Sequence, residues 1–394
     1  MNSELDQYWP LDPKITFLNH GSFGSCPRAV LAYQQELRDR LERQPVQFLV
    51  RELEGLLDEA RKALAEFVGA KAENLVFTPN ATTGVNTVLR SLSFTRGDEL
   101  LVTDHEYNAC RNALDFVASR AGATVVVAPL PFPLKSEEQI VSSILGRMTS
   151  RTRLALIDHV TSPTALVLPI ERLVRELKAG GVDTLVDGSH APGMVPLDLS
   201  GLGAAYYTGN CHKWLCAPKG AGFLHVHPDR QEFIHPLSIS HGFNTRRTDR
   251  SRFLLEFGWT GTIDPTACLS VPEALRFMKG LLPGGWPKIM ARNRSLALEG
   301  QKILCRALQI DPPCPESCIG SMAAVPLPDN SKDDRPMAPY FLDPLQETLW
   351  AQHGIEVPVM AWPQVPKRLL RISAQLYNSP EQYELLGKVL QAVW

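Results

Sequence analysis

The sequence predicts an α/β protein: a large domain on a mostly parallel sheet, followed by a small α/β C-terminal domain. Three observations predict it. Short apolar strands alternate with helical stretches from about residue 75 to residue 226, and such alternation builds parallel sheets with right-handed crossovers. The polar residues that stand out, Thr82, Tyr107, Ser162, Asp187 and Lys213, fall just beyond the carboxyl ends of strands, where open α/β sheets bind ligands. Finally, 394 residues exceed one minimal core, and the pattern turns irregular after about Pro228. The division falls at 1–265 for the large domain with its N-terminal segment, and 266–394 for the small one.

The elements follow in order. Pro27 suits a first helical turn and opens a helix to about Arg43. Leu53 to Val68 repeats apolar residues at helical spacing, with Gly69 as the stop. Leu75-Val76-Phe77-Thr78 reads as a strand, followed by the small-residue turn Asn80 to Asn86 and a helix from Thr87 to Leu92. Leu100 to Thr103, Ala123 to Ala128, Leu154 to Ile157 and Thr184 to Val186 are strands, with helices at about Ala109 to Ser119 and at 170–178. Tyr207 begins a short strand that breaks at Gly209, and Phe223 to Val226 is another apolar run. Helices are expected at 266–279, at about 286–308 and from about Asp343 to His353, with strands at Gly320 to Val325 and Leu369 to Ser373. The Pro-, Ser- and Asp-rich residues of 311–338 read as loop.

Composition excludes several classes. With 44% apolar and 21% charged residues the chain is an ordinary globular one, and a net charge of -2 recruits neither nucleic acid nor an anionic membrane. No apolar run reaches a membrane-spanning length, and Met1 to Pro10 lacks the marks of a secretion signal, so a cytoplasmic location is expected. The eight cysteines are scattered. Cys314 and Cys318 form a C-x3-C pair without a second pair, so loop thiols rather than a metal site are expected.

The chemistry centres on Tyr207 to Leu224, where a rigid turn presents His212 and Lys213 side by side. A buried lysine loses its proton more readily and becomes a nucleophile toward carbonyls. Asp187 lies 26 residues upstream at the end of its own strand. A pyridine aldehyde cofactor bearing a phosphate needs a lysine for the imine and a carboxylate to keep its ring nitrogen protonated. It also needs an anion cradle, a flat group over the ring and a donor to the phenolic oxygen. The strand ends offer Lys213, Asp187, Ala81 with Thr82 and Thr83, Tyr107, and His190 for these jobs. A strand running into a helix N-terminus, as at Asn80 to Asn86, is an anion site by its free amides.

These motifs resemble the class V aminotransferase family of pyridoxal-phosphate (PLP) enzymes, over about residues 17 to 390. Asn210-Cys211-His212-Lys213 resembles the family's Ser-x-His-Lys, and Val186-Asp187-Gly188-Ser189-His190 resembles Val-Asp-Gly/Ala-x-Gln/His. The resemblance implies the type I fold of PLP-dependent transferases (aspartate aminotransferase-like), Lys213 as Schiff-base lysine and His212 near the phosphate. Glu106-Tyr107-Asn108-Ala109 falls where the related cysteine desulfurases carry Glu-His-x-Ala, which implies Tyr107 over the ring, with His105 as fallback. Ser162 stands where those enzymes have asparagine. Gly261-Thr262 resembles the turn that reaches the neighbouring subunit's phosphate, implying a homodimer with shared sites. Leu370-Arg371-Ile372-Ser373 with Tyr377-Asn378 resembles the element whose arginine, Arg371, binds a substrate carboxylate. Asn210 replaces the usual serine. Between Gly354 and Arg371 there is no cysteine, so a persulfide-forming desulfurase is not expected.

The Asn-His-Gly-Ser-Phe-Gly start, Asp-His-Glu-Tyr, Trp-Thr-Gly-Thr-Ile-Asp and Ile-Glu-Val-Pro are similar to the isopenicillin N epimerase-like branch. That implies an epimerase or racemase acting at the α-carbon of an amino acid or peptide-like amine, with a C–S or other β-lyase and an aminotransferase as alternatives. Substrate contacts are expected from Asn19 and His20; His241, Arg246, Arg247 and Trp362 on neighbouring loops are further candidates, for which a surface or packing role is the more expected reading.

Overall fold

The computed structural model describes residues 4–330 and 342–393. Its centre is a seven-stranded sheet made of β2 (Leu75–Thr78), β3 (Glu99–Thr103), β4 (Thr124–Ala128), β5 (Thr152–Asp158), β6 (Asp183–Gly188), β7 (Tyr206–Asn210) and β8 (Gly222–Val226). The order is β2-β8-β7-β6-β5-β3-β4. Neighbours from β7 through β4 run parallel, whereas β8 is antiparallel to both β7 and β2. The parallel strands read as nearly continuous apolar runs because helices cover both faces. All five residues of β3, β7 and β8 are buried.

Helices 28–43 and 53–68 form as the periodicity requires, the second ending on Gly69 in the left-handed conformation. Helix Ala81–Ser91 starts six residues before the expected point, because Asn80 caps it through its side chain. The strand at Tyr207 does not break at Gly209 but continues to Asn210, paired to β6 and β8. The expected single helix at 266–279 is two, Thr266–Leu269 and Val271–Gly280. Pro272 lies at the second helix's first turn, where its missing N–H costs nothing.

A second sheet is antiparallel: β9 (Met322–Leu327), β11 (Val359–Ala361) and β12 (Arg368–Ser373), in the order β11-β12-β9. Helix Gly285–Leu308 packs on β9 and on helix Pro380–Val393. The first strand, β1 (Thr16–Phe17), pairs parallel to β10 (Ile355–Glu356), so the N-terminal segment returns to the C-terminal unit. Within the 311–338 segment read as loop, the strand expected at Gly320 to Val325 forms as β9, Met322–Leu327, and residues 331–338 lie outside the described residues. The Cys314 and Cys318 thiols, expected in a loop, are buried and free, and burial pushes the Cys314 thiol up to about 12. Among the described residues no helix is long and apolar enough to cross a membrane.

Candidate active site

The carboxyl ends of β5, β6 and β7, the turn after β3, the start of helix 81–91 and β12 are brought together around Lys213 and Asp187. Lys213 follows β7 directly. Its backbone carbonyl accepts from Cys216 N–H at 2.9 Å and pairs with His20 Nε2 at 3.0 Å. Since a carbonyl only accepts, His20 Nε2 carries the proton, and Nδ1 accepts from Tyr377 O–H at 2.7 Å. Gly24 makes this approach possible: it adopts a φ of +67°, and a Cβ there would strike the His212 carbonyl.

Lys213 Nζ stands 3.1 Å from His190 Nε2. Burial first, then the nearby Arg371 charge, lowers its pKa from 10.5 to about 7, against the opposing pull of Asp187. His190 is itself driven well below its ordinary pKa, chiefly by burial and then by Lys213. A neutral imidazole therefore accepts from the lysine, and the amine is readily freed of its extra proton at neutral pH.

Asp187 ends β6. Its Oδ1 accepts from Ser189 N–H at 2.9 Å and from the Ser189 hydroxyl at 2.5 Å, and Oδ2 accepts from Cys110 Sγ at 3.2 Å. The carboxylate is only 2% exposed, and among the described residues it contacts no lysine or arginine directly.

On the opposite side Arg371, in β12, is 3% exposed. Its Nη1 donates to the Ser162 carbonyl at 2.6 Å and Ser162 Oγ at 3.2 Å, and Nη2 donates to Ser22 Oγ at 2.9 Å. All these partners are neutral. Burial lowers its pKa to about 10, which still leaves it charged at neutral pH. Ser22 in turn donates to Asn19 Oδ1 at 2.5 Å, and Asn19 Nδ2 donates to Glu356 Oε1 at 3.0 Å.

The structure brings Lys213, Asp187, His190 and Arg371 together as expected, and it reassigns others. Asn19 and His20, expected to contact substrate, are spent inside the protein, one bracing Ser22 and the other holding the Lys213 turn. Ser162, expected at the cofactor, instead clamps Arg371. Two of the three amides expected as an anion cradle are occupied. Ala81 N–H donates to Asn210 Oδ1 at 2.9 Å and Thr83 N–H to Asn80 Oδ1 at 2.8 Å. Thr82 remains, half-buried between them. Asn210, standing where the family pattern has serine, thus ties β7 to this helix start.

Tyr107 caps helix Asn108–Ala121 and is 46% exposed. His105 does not offer its ring: Nδ1 is bonded to Thr164 Oγ1 at 2.7 Å, Nε2 to the Leu130 carbonyl at 3.1 Å, and Trp362 packs edge-on at 4.5 Å. Trp362 is therefore a packing residue. Thr262 is exposed on the loop before helix 266–269. Arg247 lies on a separate surface groove, paired with Glu54 at 2.7 Å and Asp249 at 2.7 Å, and His241 lines the same groove; Arg246 is exposed.

A planar phosphorylated pyridine fits these donors. His190 Nδ1, His212 Nδ1 and Arg371 Nε are buried without a protein partner, and buried polar atoms without partners are exceptions that need an explanation. Sequence reasoning missed Glu106 and Asp158, which lie beside Asp187. Their signal was available, since both stand at strand ends like the residues it did find.

Comparison with known proteins places this geometry. The sequence model of the family described as Aminotransferase class-V matches residues 18–386. The chain is 37% identical to isopenicillin N epimerase of Amycolatopsis lactamdurans, covering 97% of this chain and 96% of the relative. It is 31% identical to a probable chloroplastic L-cysteine desulfhydrase of Arabidopsis thaliana, covering 97% of this chain and 83% of the relative. Among solved structures it resembles a mutant of the C–S lyase C-DES with glycine covalently linked to its PLP cofactor. That match has a TM-score of 0.79 and 22% identity, and covers 98% of each chain.

Proposed function

This chain belongs to the aminotransferase class-V family, and from that premise we propose that it is a PLP-dependent enzyme acting at the α-carbon of an amino acid or peptide-like amine, most closely an epimerase of the isopenicillin N epimerase kind. The observation that carries the reading is Lys213: a partly buried amine whose pKa is lowered to about 7, 3.1 Å from a neutral imidazole, near Asp187 and a buried arginine that has no anionic partner among the described residues. PLP supplies an electron sink that stabilises negative charge at the substrate α-carbon. Lys213 would hold it, Asp187 would face the ring nitrogen, and Thr82, His212 and Thr262 of a second subunit would meet the phosphate.

The remaining steps belong to the chain's own groups. Arg371 binds and orients the substrate carboxylate through the guanidinium edge that Ser22 and Ser162 leave open. The Lys213 amine takes the α-proton, which its lowered pKa permits near neutrality. His190 accepts from the Lys213 amine and keeps it aimed. Tyr107, half-exposed at a helix start, is the group assigned to cover the ring and to return a proton from the other face. We assign the chain to a homodimer with shared sites, supported by the exposed Thr262 loop and by Ile263, which is 60% exposed beside it. The two domains divide at about residue 265, with β1 crossing to the C-terminal unit.

A β-lyase reading has a specific support of its own, in the relatives named as cysteine desulfhydrases. Incubation of amino acid substrates in heavy water decides between them. Exchange of the α-hydrogen with inversion, seen by chiral chromatography, supports the epimerase. Release of ammonia and a keto acid supports the lyase.

A further inference from the structure

Beneath Asp187 lies a group of ionisable side chains that the steps above do not use. Asp158 ends β5 and is the direct neighbour of Asp187 across the β5–β6 pair. Glu106 stands in the turn after β3, and Cys110 in the first turn of helix 108–121. One ligand atom from each of Glu106, Cys110 and Asp187 lies within 4.8 Å of the others. All are buried: Glu106 is 8% exposed and Asp158 2%.

Hydrogen-bond accounting separates the three carboxyls. Asp187 receives three donors, from Ser189 N–H, Ser189 Oγ and Cys110 Sγ. Among the described residues neither oxygen of Glu106 nor Asp158 Oδ2 meets a donor at full hydrogen-bond geometry, and the two carboxyls face each other closely enough for one acid proton to be offered from Glu106 to Asp158. A buried carboxylate without a donor is costly, and one beside another carboxylate costs more. The remaining groups around the cluster do not cancel the charge. Lys213 is the cation that faces it, at a lowered pKa, while His159, Tyr207 and Cys110 are each pushed toward their neutral forms by burial. Burial, and then Asp158 and Asp187, hold Glu106 well above the ordinary range; burial, and then Asp187, hold Asp158 above it, against the opposing pull of the Glu106 hydrogen bond and of Lys213.

We propose that Glu106 and Asp158 stand as neutral carboxylic acids beneath Asp187, positioning residues that leave the pocket floor with a single negative charge fixed on Asp187. That charge is held by three donors and shared with no other acid. A single anion matches a single protonated ring nitrogen; three anions would draw in water or a second cation and release Asp187 from its geometry. The inference rests on the reading that Asp187 faces the cofactor ring.

Infrared spectra of protein labelled with carbon-13 in its Glu or Asp carboxyls test it, in cofactor-free and PLP-loaded enzyme. The carbonyl stretch of a protonated acid is resolved from that of a carboxylate. We expect one protonated-acid band that Glu106→Gln removes and another that Asp158→Asn removes, both persisting in wild type to about pH 8, as documented for buried glutamates. Glu106→Ala should weaken PLP binding about tenfold, one pKa unit's worth of free energy, and Glu106→Gln, which keeps a neutral planar group, should restore it. Absence of both bands at pH 7, or failure of glutamine to restore affinity, would overturn the proposal. Should no form bind PLP, the cofactor reading falls, and the bands of the cofactor-free protein still decide the charge of the two acids.

Discussion

The two sides of the site hold charge by opposite means. On the sheet side, Asp187 sits among other acids and receives three donors, from Ser189 N–H, Ser189 Oγ and Cys110 Sγ. On the β12 side, Arg371 sits among neutral serines and a backbone carbonyl, with nothing anionic to spend its charge on. Under the proposed function, the first arrangement would fix a charge for something that stays, and the second would leave one for something that comes and goes. Buried cations are normally paired, and among the described residues no acid pairs with Arg371, which is what supports the proposed role of a substrate carboxylate as its partner.

Lys213 links the two sides, and its removal should have the largest effect. Lys213→Ala should abolish the borohydride-sensitive visible absorption of the PLP-loaded protein and lower turnover by about 10³-fold or more, within the range for loss of a general base. Retention of α-hydrogen exchange at a comparable rate in the variant would break the comparison, since the sheet side would then hold no proton carrier.

The two sides were also unequally legible. Lys213, His212, Asp187 and His190 lie within a few residues of strand ends in short local motifs, and the strand pattern alone placed them at one edge. The support of Arg371 comes from Ser22, 349 residues away, and no local pattern can show that contact. The same limit hides the distant partners of Asn19, His20 and Ser162, which are Glu356, Tyr377 and Arg371. The neutral state of Glu106 is a property of burial and neighbours, which spacing does not carry. Helix Glu137–Leu145 is a different kind of miss. Ser136 and Gln139 form a capping box, a signature written in the sequence itself. For Trp362 the sequence favours packing over a binding contact, and it fills space against His105 and Phe132.

Arg371→Gln should come next in size. If the arginine exists to receive a carboxylate, the variant should lose about 10²-fold in kcat/KM for an amino acid, the loss expected for one partner of a buried charge pair. The matching amine without a carboxylate should lose nothing. Equal losses for both compounds would mean that Arg371 serves the fold or the cofactor, and the contrast between the two sides would fail.

The protonation of Lys213 gives a smaller effect with a definite sign. Its pKa falls from 10.5 to about 7 on folding. Between those values the unfolded chain binds more protons than the folded one, so stability rises with pH across that window. In cofactor-free protein at one fixed concentration, Lys213→Met removes this dependence. The variant should be the more urea-resistant form at pH 6, and the gap to wild type should narrow as pH is raised toward 9. A gap that stays constant would mean the amine is solvated and its pKa ordinary.

The smallest effect should come from Ser22→Ala, and it separates the two sides most cleanly. Ser22 touches Arg371 and Asn19 and belongs to neither the lysine turn nor the acid cluster. Losing one hydrogen bond to a charged group weakens its hold by about 1.5–3 kcal/mol at most, and Ser162 still anchors Nη1. The arginine should therefore remain in place but hold its open edge less firmly. KM for an amino acid should rise about threefold to tenfold, while kcat and the visible absorption of bound PLP stay at wild-type values. A change in that absorption would show that the carboxylate side and the cofactor side share one hydrogen-bond network through Ser22, and the division between a fixed charge and a waiting one would have to be redrawn around it.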